Sequence, residues 1–394
     1  MKICIVGGGT AGWMTASYLS TQTDHEITLV ESEVIPIIGV GESTVPSFTT
    51  FVETIGVTEQ DLFNIGSIRK YASQHCDWPE MGNKWFHHFI FDEKDEEEQL
   101  TWMQNRTLPN KHWRHSYHID AHQFSKLLSK KFSAKIHKHS IDTVQSVECD
   151  DNGVSKVIGK KETYTADLFI DCTGLRQLLL KNFTNTVRSN KNVINNRAWA
   201  GHADYNDNAK QVDYTRTFAM SSGWQWNICL QDRVGCGYVF NDKFISDKDA
   251  MEEFFKKCPF DLREDSLRLI EFESKWNTDP WTKNVVAIGL SAGFLEPLES
   301  QSIFLTQMQI QAMYRLIQKK NNKKVFNKFW NIMIDHIADY LEIHYTLSNR
   351  TDTAYWRSFP KTDTVTYSHT YSPLFHAYGY RAIANAYGAK VVDL

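Results

Sequence analysis

Residues 2–12 read KICIVGGGTAG, and residues 27–31 read ITLVE. The apolar run at 3–6 predicts a short buried strand. The glycines predict a turn, and the alternating small and apolar residues to about Ser20 predict a helix. A second buried strand at 27–30 ends in Glu31. Gly7, Gly9 and Gly12 satisfy G-x-G-x-x-G in this strand–turn–helix–strand setting. The first glycine allows the tight turn and the second lets backbone approach a pyrophosphate. The third lets helix pack on strand, and Thr10 and Ala11 open a helix whose N-terminus faces phosphate. Glu31 follows Gly12 by 19 residues, where a carboxylate accepts from ribose hydroxyls. The plain alternatives are a glycine turn in an unrelated α/β unit and an ordinary surface carboxylate. The fingerprint itself fits NAD and FAD equally.

Outward from this unit, GVGESTVP (39–46) is a glycine-punctuated loop before a helix at 47–55. DAHQFSKLLSKKF (120–132) has the periodicity of an amphipathic helix. Short strands over 134–170 end in DLFID, which delivers Cys172, Thr173 and Gly174 to a turn. Strands are expected over 196–240, helices at 247–258 and 301–320, and a third buried strand at 284–290. The nucleotide-binding pieces are scattered and no Pro/Gly/Ser linker divides them. The organisation expected is one discontinuous unit, with a nucleotide-binding core over 1–46, 134–174 and 284–320 and a substrate region over 67–132, 190–280 and 321–394.

Composition excludes other classes. Lys+Arg 43 against Asp+Glu 47 gives −4, which argues against a nucleic-acid binder. No apolar run approaches the ~18 residues of a membrane span. Seven cysteines without a CxxC pair predict reduced thiols and a cytoplasmic protein. Aromatics are abundant, with 12 Trp, 16 Tyr and 23 Phe, which suits either ring-lined cavities or a heavily packed core.

VGGGTAGWMTASYLS, followed by ESEVIPIIGVGESTVP, resembles the flavin-dependent halogenases of the tryptophan halogenase family. ADLFIDCTGLRQLLL (166–180), GWQWNICL (223–230), GLSAGFLEPLES (289–300) and HYTLSNRTDTAYWR (344–357) resemble further family segments, in the family's order. The resemblance implies an α/β fold with an FAD-binding, Rossmann-like domain of the aromatic hydroxylase type, a mixed-sheet substrate region and C-terminal helices. It implies FADH2 from a separate flavin reductase, O2 as cosubstrate, and a halide (chloride, bromide or iodide) converted to hypohalous acid. It implies halogenation of a small aromatic substrate through a lysine, and a homodimer or higher oligomer is compatible with it. The rivals are an FAD-dependent hydroxylase and a non-catalytic flavin-binding protein.

By the same resemblance Lys70 takes the family lysine's place, the same distance before Trp78. A neutral amine could form a haloamine, and a protonated one could hold and polarise hypohalous acid. The plain alternative is a solvated lysine beside Arg69, with the usual pKa of ~10.4. Glu299 matches the family glutamate, which orients the lysine and takes a proton from the ring. Its alternative is a carboxylate suited to a helix start. Ser300 is read as an N-cap or a substrate-side hydroxyl, and Glu296 as structural. Gln301 and Ser302 stand where the family holds halide, in place of a Thr-Gly-like pair. Trp224 and Trp226 match the barrier between flavin and substrate, with two core tryptophans as the alternative. Cys229 replaces the proline of that signature. His87 and Phe89 resemble the H-x-F that flanks the substrate, or are half-buried loop aromatics. No metal site is read at His87–His88, since no carboxylate or cysteine lies at ligand spacing. Tyr117, His118 and Asp120 precede a helix that Asp120 can cap. Ser43, Val144, Leu290 and Ile303 are further cofactor-side candidates. Only 37 residues follow Arg357, and they do not resemble the family's substrate clamp. A wider aromatic site is the expectation.

Overall fold

The computed structural model describes residues 1–34, 42–89, 113–183, 186–319, 322–367 and 377–393. Lys2–Val6 runs parallel to Glu26–Glu31 on one side and to Leu168–Asp171 on the other. Lys138–Ile141 and Val285–Ala287 extend this sheet in parallel, and Trp281–Thr282 closes one edge antiparallel. Its strands are apolar without alternation because both faces are covered. Helices Thr10–Gln22 and Gln301–Leu316 cover one face, where Trp13, Met14, Ile303 and Ile310 pack on Ile3 and Ile5. The antiparallel strands Val144–Asp150, Gly153–Gly159 and Thr163–Tyr164 cover the other through Val154, Val157 and Tyr164.

Among the described residues there is a second, eight-stranded mixed sheet. Arg197–Asp204, Val234–Phe240, Gly223–Cys229 and Tyr214–Ala219 pair antiparallel in that order. Ala72–Cys76 then joins Tyr214–Ala219 in parallel, and Lys84–His88 joins Ala72–Cys76 antiparallel. A smaller sheet of Glu42–Ser43, Ser116–Ile119 and Ile68–Lys70 lies where the two regions meet. The 25-residue helix Asn322–Thr346 packs Trp330, Ile334, Leu341 and Tyr345 into the core that holds Trp78, Trp224, Trp226 and Trp356. Most of the aromatic surplus is therefore core.

Two local expectations shift. The third buried strand stops at Ala287, and Leu290 lies in a short 3-10 turn, Gly289–Ser291. Gly289 has φ +70°, a conformation that ends a strand and that glycine adopts without strain. The C-terminal residues fold back: Thr364–Tyr367 pairs in parallel with Lys390–Asp393, and between them lies helix Ala377–Tyr387. The acidic run at 92–98, Trp102, His369, Tyr371, Phe375 and His376 lie outside the described residues.

Candidate active site

Strand alternation sends Arg69 outward, to a 2.6 Å ion pair with Glu59, and sends Lys70 inward. Lys70 is 1% exposed. Its Nζ donates to the Thr44 carbonyl at 3.2 Å and to Ser300 Oγ at 3.0 Å, and lies 4.8 Å from the centre of the Phe89 ring. Burial lowers its pKa to about 7, against the charge of Glu299, which raises it. This is not the solvated lysine of the plain alternative.

Glu299 is buried at the turn before helix Gln301–Leu316. It and Ser300 have φ of 66° and 61°. Left-handed backbone at a non-glycine residue costs on the order of 1–3 kcal/mol, so the surroundings must fix it. They do so through three imidazoles. His87 Nδ1 lies 2.9 Å from Oε2, and His75 Nε2 and His344 Nε2 lie 3.1 and 3.2 Å from Oε1. Burial works to raise the Glu299 pKa. The nearby His87 and His75 and the contacts from His344 and His75 outweigh it and hold the carboxyl well below the usual range. Burial in turn lowers His75 to about 4, so it is neutral near pH 7. The carboxylate is ionised; His87 hydrogen-bonds Oε2, while His75 and His344 approach Oε1, which has no hydrogen-bond partner among the described residues. The spacing argument found no carboxylate partner for His87; the fold supplies one from 212 residues away. Ligand atoms of His75, His344 and Glu299 all lie within 4.8 Å of one another.

Ser300 is not a cap. It occupies the N-cap position, but its hydroxyl makes no capping bond; it donates to Ser43 Oγ at 2.8 Å and accepts from Lys70. A cap needs extended backbone, which the left-handed turn denies it. Asp120 does cap, accepting from the Gln123 N–H at 2.8 Å. Glu296 is structural, accepting from Asn195 at 2.6 Å and from Tyr345.

Lys70, His87, Phe89, Glu299 and Ser300 thus converge from three separate stretches of chain. Gln301 is buried, and neither atom of its side-chain amide has a hydrogen-bond partner among the described residues; Ser302 beside it is half-buried. Trp224 and Trp226 are buried with ring centres 5.9 Å apart. Ser43 lies in the Lys70 network rather than at the glycine turn. Val144 opens its strand half-buried, Leu290 is half-buried, and Ile303 packs beneath the fingerprint helix.

Helix Ala377–Tyr387 covers this site. A Cβ at Gly379 would lie 3.3 Å from both His87 Nε2 and Tyr340 Oη. Tyr380 meets Tyr340 edge-on at 5.1 Å, and Tyr387 lies 6.0 Å from Trp85 and 6.4 Å from His344. This covering helix forms a lid over His87 and Tyr340. His75 and His344 were not marked as site residues by the sequence. Their one signal is position, five residues after Lys70 and at the start of the HYTLS box.

The glycine turn fits a dinucleotide. A Cβ at Gly8 would fall 1.7 Å from Glu31 Oε2, and one at Gly12 would fall 1.8 Å from the Gly7 carbonyl oxygen, so both must be bare. A Cβ at Gly9 meets nothing within 4 Å, and no side chain caps the helix that begins at Thr10. Open space before uncapped N–H groups is what a pyrophosphate requires. Glu31 is held by His139 Nε2 at 2.5 Å and by Trp13 Nε1 at 3.4 Å, at the end of its strand.

Known proteins resemble this chain in sequence and in fold. A family model for tryptophan halogenase matches residues 2–108 and 92–384. Tryptophan 7-halogenase RebH of Lentzea aerocolonigenes is 30% identical, covering 91% of this chain and 78% of its own length. Tryptophan 6-halogenase SttH of Streptomyces toxytricini is 29% identical, covering 90% and 80%. A flavin-dependent halogenase from Xanthomonas campestris superposes with a TM-score of 0.90 at 26% identity, covering 98% of this chain and 89% of that one. BrvH, a flavin-dependent halogenase from Brevundimonas sp. BAL3, gives 0.86 at 27%, covering 100% and 91%. The chain therefore belongs to the tryptophan halogenase family: it is a flavin-dependent halogenase, an oxidoreductase that works with reduced FAD, O2 and halide.

Proposed function

We propose that the protein halogenates an electron-rich aromatic, an indole or phenol, and that Lys70 carries the halogen. The single observation behind this is the buried Lys70 amine beside an anchored Glu299 carboxylate. Reduced flavin, O2 and halide supply hypohalous acid when FAD is bound; that redox chemistry belongs to the cofactor. Gly9, Thr10 and Ala11 would hold the pyrophosphate and Glu31 the ribose. With a pKa of about 7, Lys70 is half neutral at pH 7. The amine nitrogen bonds the halogen as the O–X bond breaks, and the hydroxide released takes an amine proton and leaves as water. The aromatic ring then attacks the N-bound halogen; the N–X bond breaks with its electron pair left on the lysine nitrogen, which takes a proton from water and is again an amine. The resulting ring cation loses its proton to Glu299, a carboxylate kept ionised by the histidines around it, and Glu299 passes that proton on to the hydroxide formed at the lysine.

His87 and Phe89 line the substrate side, and the Gln301 amide donors with the Ser302 backbone hold halide. Trp224 and Trp226 separate substrate from flavin. A separate flavin reductase supplies FADH2. The test combines the purified protein with a reductase, NADH and each halide, and a panel of tryptophan, indoles, phenols and anilines read by mass spectrometry. Halogenated indoles or phenols are expected; products that are hydroxylated and never halogenated would overturn the reading.

A further inference from the structure

Lys70 ends a buried hydrogen-bond chain whose direction can be read from its far end. His118 Nδ1 lies 2.9 Å from the Cys229 carbonyl oxygen. A carbonyl only accepts, so Nδ1 carries the ring proton. Burial, with the charge of Lys70 behind it, lowers the His118 pKa to about 3, so the ring is neutral and Nε2 bears a lone pair. Nε2 lies 2.8 Å from Thr215 Oγ1, so the Thr215 hydroxyl donates to it. Thr215 Oγ1 has spent its proton and accepts from Ser43 Oγ at 2.8 Å. Ser43 in turn accepts from Ser300 Oγ at 2.8 Å, and Ser300 accepts from Lys70 Nζ at 3.0 Å. Every hydroxyl points away from the lysine. Cys229 contributes only its carbonyl, which the proline of the family signature would also offer.

We infer that His118, Thr215 and Ser43 are positioning residues that aim the lone pair of the Lys70 amine at the incoming halogen. The inference rests on the proposed role of Lys70. A neutral amine has two N–H bonds and one lone pair. The Thr44 carbonyl takes one N–H, and Ser300, its own proton committed to Ser43, can only take the other. The lone pair is left in the remaining tetrahedral direction. With the chain broken, the Ser300 hydroxyl is free to turn and donate to that lone pair, and the bond must then be undone before nitrogen can attack. Thr215 is 5% exposed and lies behind the site, so removing its hydroxyl leaves the residues around the substrate in place.

The experiment measures halogenated product and reduced-flavin oxidation in Thr215→Val, Thr215→Ala, Thr215→Ser and Lys70→Ala. Losing the order imposed by one hydrogen bond is worth about tenfold. Thr215→Val is expected to lower product formation about tenfold with flavin oxidation unchanged. Thr215→Ala, which cannot overpack the site, should repeat the loss, and Thr215→Ser should restore the wild-type rate. Wild-type halogenation in Val and Ala variants would overturn the inference. So would a Ser variant as impaired as Val, since packing rather than the hydroxyl would then matter. Halogenation that survives in Lys70→Ala would instead sink the role of the lysine itself.

Discussion

Lys70 Nζ lies 3.0 Å from Ser300 Oγ, although 230 residues separate them in the chain. The contact joins the short strand Ile68–Lys70 to the left-handed turn before helix Gln301–Leu316. Neither end is a relaxed structure. Lys70 gives up solvation, and Glu299 and Ser300 give up a favourable backbone.

The first consequence is a pH-dependent stability. Burial lowers the Lys70 pKa to about 7 in the folded chain, against 10.5 for a lysine in water. Between those values the unfolded chain binds more protons, so stability rises with pH; it is fully present above about 10.5 and lost as pH falls to about 7. The cost at low pH is on the order of 5 kcal/mol. Lys70→Met should therefore be more stable than wild type at pH 6, with the gap closing toward pH 10. Urea denaturation at pH 6, 8 and 10 checks this; a gap independent of pH would place Lys70 in solvent.

Much of this was legible in the sequence, for reasons that differ by residue. The strand–turn–helix–strand at 2–31 could be read because its signals are local: an apolar run, three glycines and a carboxylate at a fixed interval. Lys70, Glu299, His87 and Phe89 became candidates through resemblance, since composition and periodicity do not separate a buried lysine from an exposed one. His75 and His344 stayed hidden because their role comes from tertiary approach to Glu299. Ser300 misled because a serine before an apolar helix looks like an N-cap. Only the φ values show that the backbone forbids it. The tail was judged by its lack of resemblance, which says nothing of the lid that Tyr380 and Tyr387 build.

Glu299 should matter for halogen transfer and not for flavin chemistry. Glu299→Gln keeps the shape and removes the base. Loss of a general base costs roughly 10²–10⁴ in rate. Halogenation should fall by at least about a hundredfold while reduced flavin is still oxidised by O2, as stopped-flow absorbance would show.

Gly379 sets the clearance under the lid. A leucine there would press on His87 and Tyr340, each 3.3 Å from its Cβ. Gly379→Leu should raise KM for large aromatic substrates several-fold, on the order of 1–3 kcal/mol in binding, with flavin oxidation unchanged. Steady-state kinetics on indole and a larger indole derivative checks this. An equal effect on both would mean that the lid does not gate by size.

Gly8 and Gly9 should separate fold from cofactor. Gly8→Ala collides with Glu31 and should destabilise the protein with or without flavin, whereas Gly9→Ala meets open space. Gly9→Ala should keep the wild-type melting temperature without FAD, yet bind FAD at least about tenfold more weakly as its methyl enters the pyrophosphate space. Thermal unfolding and FAD titration by fluorescence quenching distinguish the two.

The most direct test of the central claim is the ratio of halogenated product to reduced flavin oxidised in Lys70→Ala. The amine proposed to carry halogen is gone in this variant, while Gly9, Thr10, Ala11 and Glu31 are untouched. Flavin oxidation at the wild-type rate with halogenation reduced to background is the predicted result. A Lys70→Ala enzyme that halogenates its substrate at the wild-type ratio would contradict it.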